Sequence, residues 1–441
     1  MEHSQTTIVA IATPSGRGGI GIIRISGPES LSFVSQLTGK DRSYFQPRKS
    51  YYCGWYDQAK QDLDSGLVLY FNAPHSYTGE DVVELQGHGS PLLLQATVNC
   101  LLEMGAVMAQ PGEFTRRAVE NNKLNLSQAE AVISCIDAQT IRAAKQAKKH
   151  LDGLFGDRIY HLMDLLIDAV AHIEATLDFP EDEIPDLFFE TIANNVKQSL
   201  IAPIDGYLSS AIIGERLFNG VTIAIIGAPN VGKSSLLNLL VERNRAIVSA
   251  TPGTTRDVLE IDFEIGGIPV RLLDTAGMRS TGDEIELEGI RRASEAAEAA
   301  DVVLFVADAS NRATWDCEGA PSLLIMNKVE LLEGVPPASF IGISIHEQIG
   351  LDRLKAALIE ILAADDSAVE GLYVTSARHR QALAHAKTHL LAGLCFIDSE
   401  SSIDLLALEW RRAWMSLAEI VGMGDIENIL DRVFSKFCVG K

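Results

Sequence analysis

Cysteine is scarce and scattered. The six thiols, Cys53, Cys100, Cys135, Cys317, Cys395 and Cys438, include no C-x-x-C pair. That argues against a disulfide scaffold or a zinc site and leads to the expectation of a reducing, cytoplasmic compartment. Long apolar runs are missing too, since none approaches the roughly 18–20 residues that cross a bilayer. The opening Met1-Glu2-His3-Ser4-Gln5 is not basic and leads into no long apolar core, so neither a secretory signal nor a membrane role is expected. No internal repeat or low-complexity tract occurs. Positive charge is in deficit, with 37 Lys and Arg against 59 Asp and Glu, a formal net charge of -22. A field of that sign repels nucleic acid and anionic membrane and excludes a general phosphate-backbone binder. One stretch runs the other way: residues 115–150 hold seven basic side chains (Arg116, Arg117, Lys123, Arg142, Lys145, Lys148, Lys149) against three acidic ones.

The remainder is ordinary globular composition, 47% hydrophobic and 22% charged over 441 residues, long enough for about three domains. Residues 6–110 alternate β-rich runs (Thr7–Ile11, Gly21–Ile25, Gly66–Phe71, Asp81–Leu85) with apolar segments such as Pro91–Glu103, which predicts an α+β domain. From Glu113 the period turns helical, through Gln128–Gln139, Ile141–Leu154 and Tyr160–Leu177, until Pro180 and Pro185 interrupt it. From Val221 short continuous apolar runs, Val221–Ile226, Val302–Ala307 and Ser322–Met326, suit buried parallel strands. Gly266-Gly267 between Asp257–Ile265 and Ile268–Leu273 is a hairpin signal. Helical text returns in Leu383–Leu394 and Ile403–Val421. The simplest architecture is an N-terminal α+β domain and a helical domain made from two separated stretches, with an α/β domain inserted between them.

The inserted part carries the chemistry. Gly227-Ala-Pro-Asn230-Val231-Gly232-Lys233-Ser234 matches G-x-x-x-x-G-K-[ST], after a buried strand and opening the helix Ser235–Val241. Its glycines let backbone N–H groups wrap phosphates. Lys233 neutralises the β- and γ-phosphate oxygens, and Ser234 is placed to ligate Mg²⁺. Gly253-Thr254-Thr255-Arg256-Asp257 lies in a polar loop where Thr255 is the candidate second Mg²⁺ ligand and γ-phosphate sensor. Asp274-Thr275-Ala276-Gly277 follows a strand; Asp274 would hold the metal through water and Gly277 N–H would meet the γ-phosphate. Asn327-Lys328-Val329-Glu330 stands where a base-reading N-K-x-D belongs, and Ser344 where the last base-contacting loop belongs. Elements in this order predict a GTP site. The reader is Glu330 rather than Asp, one methylene longer, and Ile345 follows Ser344 where a small residue is usual, so guanine selectivity is open to softening. Met278 replaces a water-orienting Gln; Asp283, Glu284, Glu286 and Glu288 are the carboxylates nearby.

These residues resemble the tRNA modification GTPase family known as MnmE or TrmE, and the resemblance covers essentially the whole chain. Its carriers, besides the nucleotide motifs, are Gly16–Gly27, Ser76–Gly89, Pro111-Gly-Glu-Phe114, Asn122-Lys123-Leu124 and Phe437-Cys438-Val439-Gly440-Lys441. The resemblance implies a multidomain α+β and α/β protein. Its expected parts are an N-terminal α+β folate-binding and dimerisation domain (1–117), a discontinuous all-α helical domain (118–217 and 371–441) and an inserted P-loop, Ras-like α/β G domain (218–370). It implies a homodimer and a heterotetramer with the flavoprotein MnmG, which carries FAD. The pair would place a carboxymethylaminomethyl or aminomethyl group on C5 of the wobble uridine of certain tRNAs, with a one-carbon unit from 5-formyl- or 5,10-methylene-tetrahydrofolate. It implies GTP hydrolysis stimulated by K⁺-dependent dimerisation of G domains. Asn230, Ser249, Thr251 and Thr254 match the K⁺ site, and Ser249-Ala250-Thr251-Pro252-Gly253-Thr254-Thr255 the switch around the nucleotide. Glu286 matches the carboxylate that orients the attacking water. The folate site carries over as Arg24, Glu84, Lys123 and Lys441; a pterin edge donates to a carboxylate, and a folate's glutamate needs cations.

Three features carry alternatives. Gly16-Arg-Gly18-Gly-Ile-Gly21 matches G-x-G-x-x-G, but β-branched residues follow it rather than a helix, so a dinucleotide fold is rejected. Glu181-Asp182-Glu183 with Asp186 reads as a solvated turn before a cation site. Cys438 is open between a thiolate adding to uridine C6 and a residue that packs the tail. A competing function of another class is a non-catalytic GTP switch in ribosome or complex assembly, for which an RNA-binding KH-like or OB module would speak; none is visible.

Overall fold

The computed structural model describes residues 6–178, 188–243, 261–273, 295–309, 321–362, 371–397, 403–424, 427–435, 437 and 440. The chain divides into two compact units, one of Met1–Ile133, His150–Ile159 and Ala418–Lys441, the other of Ser134–Lys149 and Tyr160–Leu417.

The first unit is built on a six-stranded sheet. Its strands are β1 (Ile8–Ile11), β2 (Gly18–Ser26), β3 (Ser50–Tyr56), β4 (Asp62–Phe71), β5 (Val82–Gly89) and β6 (Val107–Met108), in spatial order β3-β4-β5-β2-β1-β6. All neighbours are antiparallel except β1 and β6. Alternation along each strand divides the two faces. Val9, Ile23, Ile25, Cys53, Trp55, Val68, Val83 and Leu85 form one core with Val34 and Leu37 of α1 (Ser30–Thr38) and Val98 and Leu101 of α2 (Pro91–Glu103). On the other face Ile8 and Ala10 pack against Ala109 and Phe114, the latter on α3 (Glu113–Glu120). Farther along that face β2 and β5 present Arg24 and Glu84, which are register partners. Leu126 and Ala129 of α4 (Leu126–Asp137) close a smaller core with Leu430, Phe434 and Phe437 near the C-terminus. The glycine-rich start of β2 is strand, in agreement with the rejected dinucleotide reading.

The second unit holds a sheet of β7 (Val221–Ile226), β8 (Ile261–Ile265), β9 (Ile268–Leu273), β10 (Val302–Asp308), β11 (Leu323–Asn327) and β12 (Phe340–Gly342), ordered β12-β11-β10-β7-β9-β8. Every neighbouring pair is parallel except the β8–β9 hairpin. Its turn is the expected Gly266-Gly267, both at positive φ (61° and 82°), the backbone that such a two-residue hairpin requires. All seven residues of β10 are buried, which explains its unbroken apolar sequence. Helices of this unit include α5 (Ala202–Asn219), α6 (Lys233–Arg243), Leu351–Leu362 and Ala377–Leu394. Among the described residues no helix is long and apolar enough to cross a membrane.

Several elements were less visible in the sequence. β4 starts at Asp62 rather than Gly66, because its polar first half pairs with Trp55 and Tyr56 of β3. Tertiary pairing here outweighs weak local preference.

Candidate functional sites

In the second unit, β7 ends at Ile226 and the chain turns through Gly227–Gly232 into α6, so the first helical N–H groups face the loop. That is the electropositive end at which phosphates are held. Lys233 Nζ donates to the carbonyls of Gly227 (2.9 Å) and Ala228 (2.8 Å). Burial pulls its pKa below the ordinary 10.5. Ser234 and Ser235 are exposed at the helix start, and Asn230 is exposed at φ 62°.

Beside this loop the base-reading residues converge. Asn327, at the end of β11 and 4% exposed, donates from Nδ2 to the Val231 carbonyl at 2.9 Å, and its Oδ1 accepts from Ile345 N at 3.4 Å. Lys328 Nζ reaches the Asn230 carbonyl at 3.2 Å and pairs with the Asp308 carboxylate at the end of β10. Ser344 is fully buried; its Oγ accepts from Glu347 N at 3.0 Å. The Ser344 hydroxyl bonded to Glu330, first of several influences, holds the exposed Glu330 carboxyl below the usual carboxylate range. The motif residues Asn230, Val231, Gly232, Lys233, Asn327, Lys328, Glu330 and Ser344 thus form one contiguous group. Asp308 had not been singled out; its place at the C-terminal end of a central parallel strand is the signal that finds it.

In the first unit, Arg24 donates through Nε (3.0 Å) and Nη2 (2.9 Å) to Glu84 Oε1. Its Nη1 donates to the Gly440 carbonyl at 3.3 Å, next in sequence to Lys441. The guanidinium lies 5.8 Å from the ring centres of both Tyr77 and Phe114, a distance at which ring quadrupoles attract cations. Glu84 Oε2 accepts from Gln86 Nε2 at 3.3 Å and retains lone pairs for further donors. Lys123 lies against Gly79 and lines, with Tyr77, a cavity of about 550 Å³. Tyr77 therefore links Lys123 to the Arg24–Glu84 pair. Neither it nor Phe114 had been assigned a role, although both stand inside the quoted motifs Ser76–Gly89 and Pro111–Phe114. Beneath them Arg117, 3% exposed, pairs with Glu80 (3.1 Å) and Glu113 (2.9 Å) and donates to the Thr6 carbonyl at 2.8 Å.

Ser249, Ala250, Thr251, Pro252, Gly253, Thr254, Thr255, Asp274, Thr275, Ala276, Gly277, Met278, Glu286, Cys438 and Lys441 lie outside the described residues, as do Glu181, Asp182, Glu183 and Asp186.

Two family models match the chain: the MnmE helical domain over residues 126–438 and the GTP-binding protein TrmE N-terminus over residues 7–123. The tRNA modification GTPase MnmE of Nitrosomonas eutropha is 41% identical over 455 residues, covering 99% of this chain and 100% of that one. The protein of the same name from Ralstonia nicotianae is 40% identical, covering 98% and 96%. That of Paramagnetospirillum magneticum is 41% identical, covering 99% of both. Likeness at this level over nearly the full length, with a P-loop and base-reading residues in one group, leads to one conclusion: the chain belongs to the MnmE family of tRNA modification GTPases.

Proposed function

We propose that this GTPase acts with the flavoprotein MnmG, which carries FAD, to add a carboxymethylaminomethyl or aminomethyl group at C5 of the wobble uridine of certain tRNAs. The one-carbon unit would come from 5-formyl- or 5,10-methylene-tetrahydrofolate, and the site of action would be the cytoplasm. The observation that carries the folate part is the Arg24–Glu84 pair, in strand register and tied to the Gly440 carbonyl. Glu84 keeps acceptor capacity for a pterin's N–H groups, and Arg24, Lys123 and Lys441 supply cations for the carboxylates of the folate's glutamate tail. We divide the chain into 1–117, 118–217 with 371–441, and 218–370, and read it as a homodimer that joins MnmG in a heterotetramer.

For hydrolysis, Lys233 neutralises phosphate charge, Ser234 and Thr255 would hold Mg²⁺, and Glu286 orients the attacking water. Asn230, Ser249, Thr251 and Thr254 would hold K⁺ between paired G domains. These metals supply positive charge to the β- and γ-phosphates when bound. Cys438 stays open between a thiolate that adds to uridine C6 and a residue that packs the tail; on the first reading Cys438→Ser keeps GTPase activity and loses modification, and wild-type modification by that variant would reject it.

Nucleoside analysis of tRNA from a deletion strain tests the whole reading. Unaltered wobble uridines would reject it, and full restoration by Arg24→Gln would reject the folate site. Equal GTPase rates in KCl and NaCl at high protein concentration would reject the potassium-dependent dimer.

A further inference from the structure

The cavity beside Arg24 and Glu84 has a wall of changing character. Leu69 of β4 stands in register with Glu84, so the two side chains share a face. Phe71, two residues on, continues that face, and both line the cavity with Tyr77. The ring of Tyr77 also lies against Arg24. Leaving the Arg24–Glu84 pair, the surface is therefore first apolar and aromatic. It then becomes cationic, because Arg48 and Lys123 complete the lining beside His75.

Arg48 is fixed on this wall. Its N–H donates to the Tyr70 carbonyl at 2.8 Å, it sits at φ 61°, and its Nη2 donates to the His75 carbonyl at 3.3 Å. Among the described residues neither Arg48 nor Lys123 has a carboxylate partner, and no acidic side chain lines the cavity. In a chain where acids outnumber bases 59 to 37, such a group of uncompensated cations at an aromatic-walled cavity suits an elongated anion with a flat apolar middle.

We propose that this cavity is a subsite for the p-aminobenzoyl ring and oligo-γ-glutamate chain of a folate, and that Arg48 selects polyglutamylated over monoglutamylated forms. The proposal rests on the folate reading above. Leu69, Phe71 and Tyr77 cover the benzoyl ring, while Arg48 and Lys123 meet the successive carboxylates. A cavity of about 550 Å³ falls within the range of small-molecule sites. Each added glutamate brings one more carboxylate, so affinity rises with chain length, whereas the pterin contacts at Glu84 stay the same.

The test is titration of the full-length protein with 5-formyl-tetrahydrofolate carrying one or three glutamates. Wild type should bind the triglutamate on the order of tenfold more tightly, the size expected of one or two charge-assisted contacts near a surface. Arg48→Gln should lose most of that preference with monoglutamate affinity little changed, and Arg48→Lys should recover part of it. Melting temperatures of the variants report folding separately. Equal affinity for the two ligands, or full preference retained in Arg48→Gln, would overturn the subsite and leave the folate reading standing. Failure of wild type to bind either ligand would overturn both.

Discussion

Replacing Asn327 should uncouple the base-reading loop from the phosphate loop. Its buried amide joins three segments, donating to Val231 O in the P-loop at 2.9 Å and accepting from Ile345 N beside Ser344 at 3.4 Å. The first is a full-strength neutral hydrogen bond and the second lies at the outer limit of bonding distance. With about 0.5–1.5 kcal/mol for a good neutral bond, less for the long one, and a penalty for leaving Val231 O without its donor, Asn327→Ala should cost about 1–3 kcal/mol. If that cost falls on the nucleotide-competent arrangement, affinity drops about 5- to 150-fold, since about 1.4 kcal/mol is tenfold. Asn327→Asp is the sharper probe. It keeps the shape, yet sets a carboxylate oxygen against the Val231 carbonyl where a donor stood, so it should bind GTP no better than Asn327→Ala. Calorimetric titration with a non-hydrolysable GTP analogue measures the affinity, and a parallel melting curve measures the global fold. Wild-type affinity in Asn327→Asp would refute the idea that this amide organises the site.

Three further outcomes follow from the geometry. Gly232→Ala puts a methyl group into the Asn327 amide at a φ of 101°, a strain of about 1–3 kcal/mol, so GTP titration should show a loss of affinity and the melting curve should fall by a few degrees. Lys233 has a pKa lowered by burial, so unliganded native protein releases this proton before the unfolded chain does, and its contribution to stability rises with pH through that window. Phosphate binding favours the charged form, so GTP affinity should fall as pH climbs toward 10.5, with proton uptake seen as a buffer-dependent heat of binding. Arg117→Met removes a 3% exposed cation from Glu80 and Glu113 and should lower urea stability by about 3–5 kcal/mol without changing guanine-nucleotide affinity.

The sequence was most readable where burial is uniform. β7 (Val221–Ile226) and β10 (Val302–Asp308) lie where their apolar runs predict, because parallel strands covered on both faces have no polar side to obscure the pattern. Helix α2 starts at Pro91, where proline is tolerated and its fixed φ is already helical. Reading fails where long-range pairing sets the outcome. β6 has two residues, Val107 and Met108, both exposed, and exists only because β1 lies beside it. No local pattern marks Arg117 as interior, since its place depends on carboxylates supplied by Glu80 and Glu113. The same division holds at the sites. Asn327, Lys328 and Glu330 were legible by spacing, whereas the Asp308 contact to Lys328 and the Tyr77 contact to Arg24 arise from segments remote in sequence.

The basic stretch 115–150 shows how far local charge counts can mislead. At least four of its seven cations already have internal partners. Arg116 pairs with Glu120 and Asp431, Arg117 with Glu80 and Glu113, Arg142 donates to Gly266 O and Tyr373 Oη, and Lys149 donates to Gly371 O. Lys123 lines the cavity. A guanidinium or ammonium bonded within the fold releases few counterions when a polyanion approaches. With at least four of the seven bonded within the fold and Lys123 at the cavity, in a chain of net charge -22, tRNA should meet no more than about two phosphate-neutralising cations here. At a slope of about -0.9 per neutralised phosphate, log affinity of the isolated protein for tRNA should fall with log salt by no more than about 2. Filter binding across a KCl series measures that slope. A steeper one, of 5 or more, would show that the protein grips tRNA through a basic surface of its own; a shallow one, with tight binding restored when MnmG is added, assigns most of the RNA affinity to the partner.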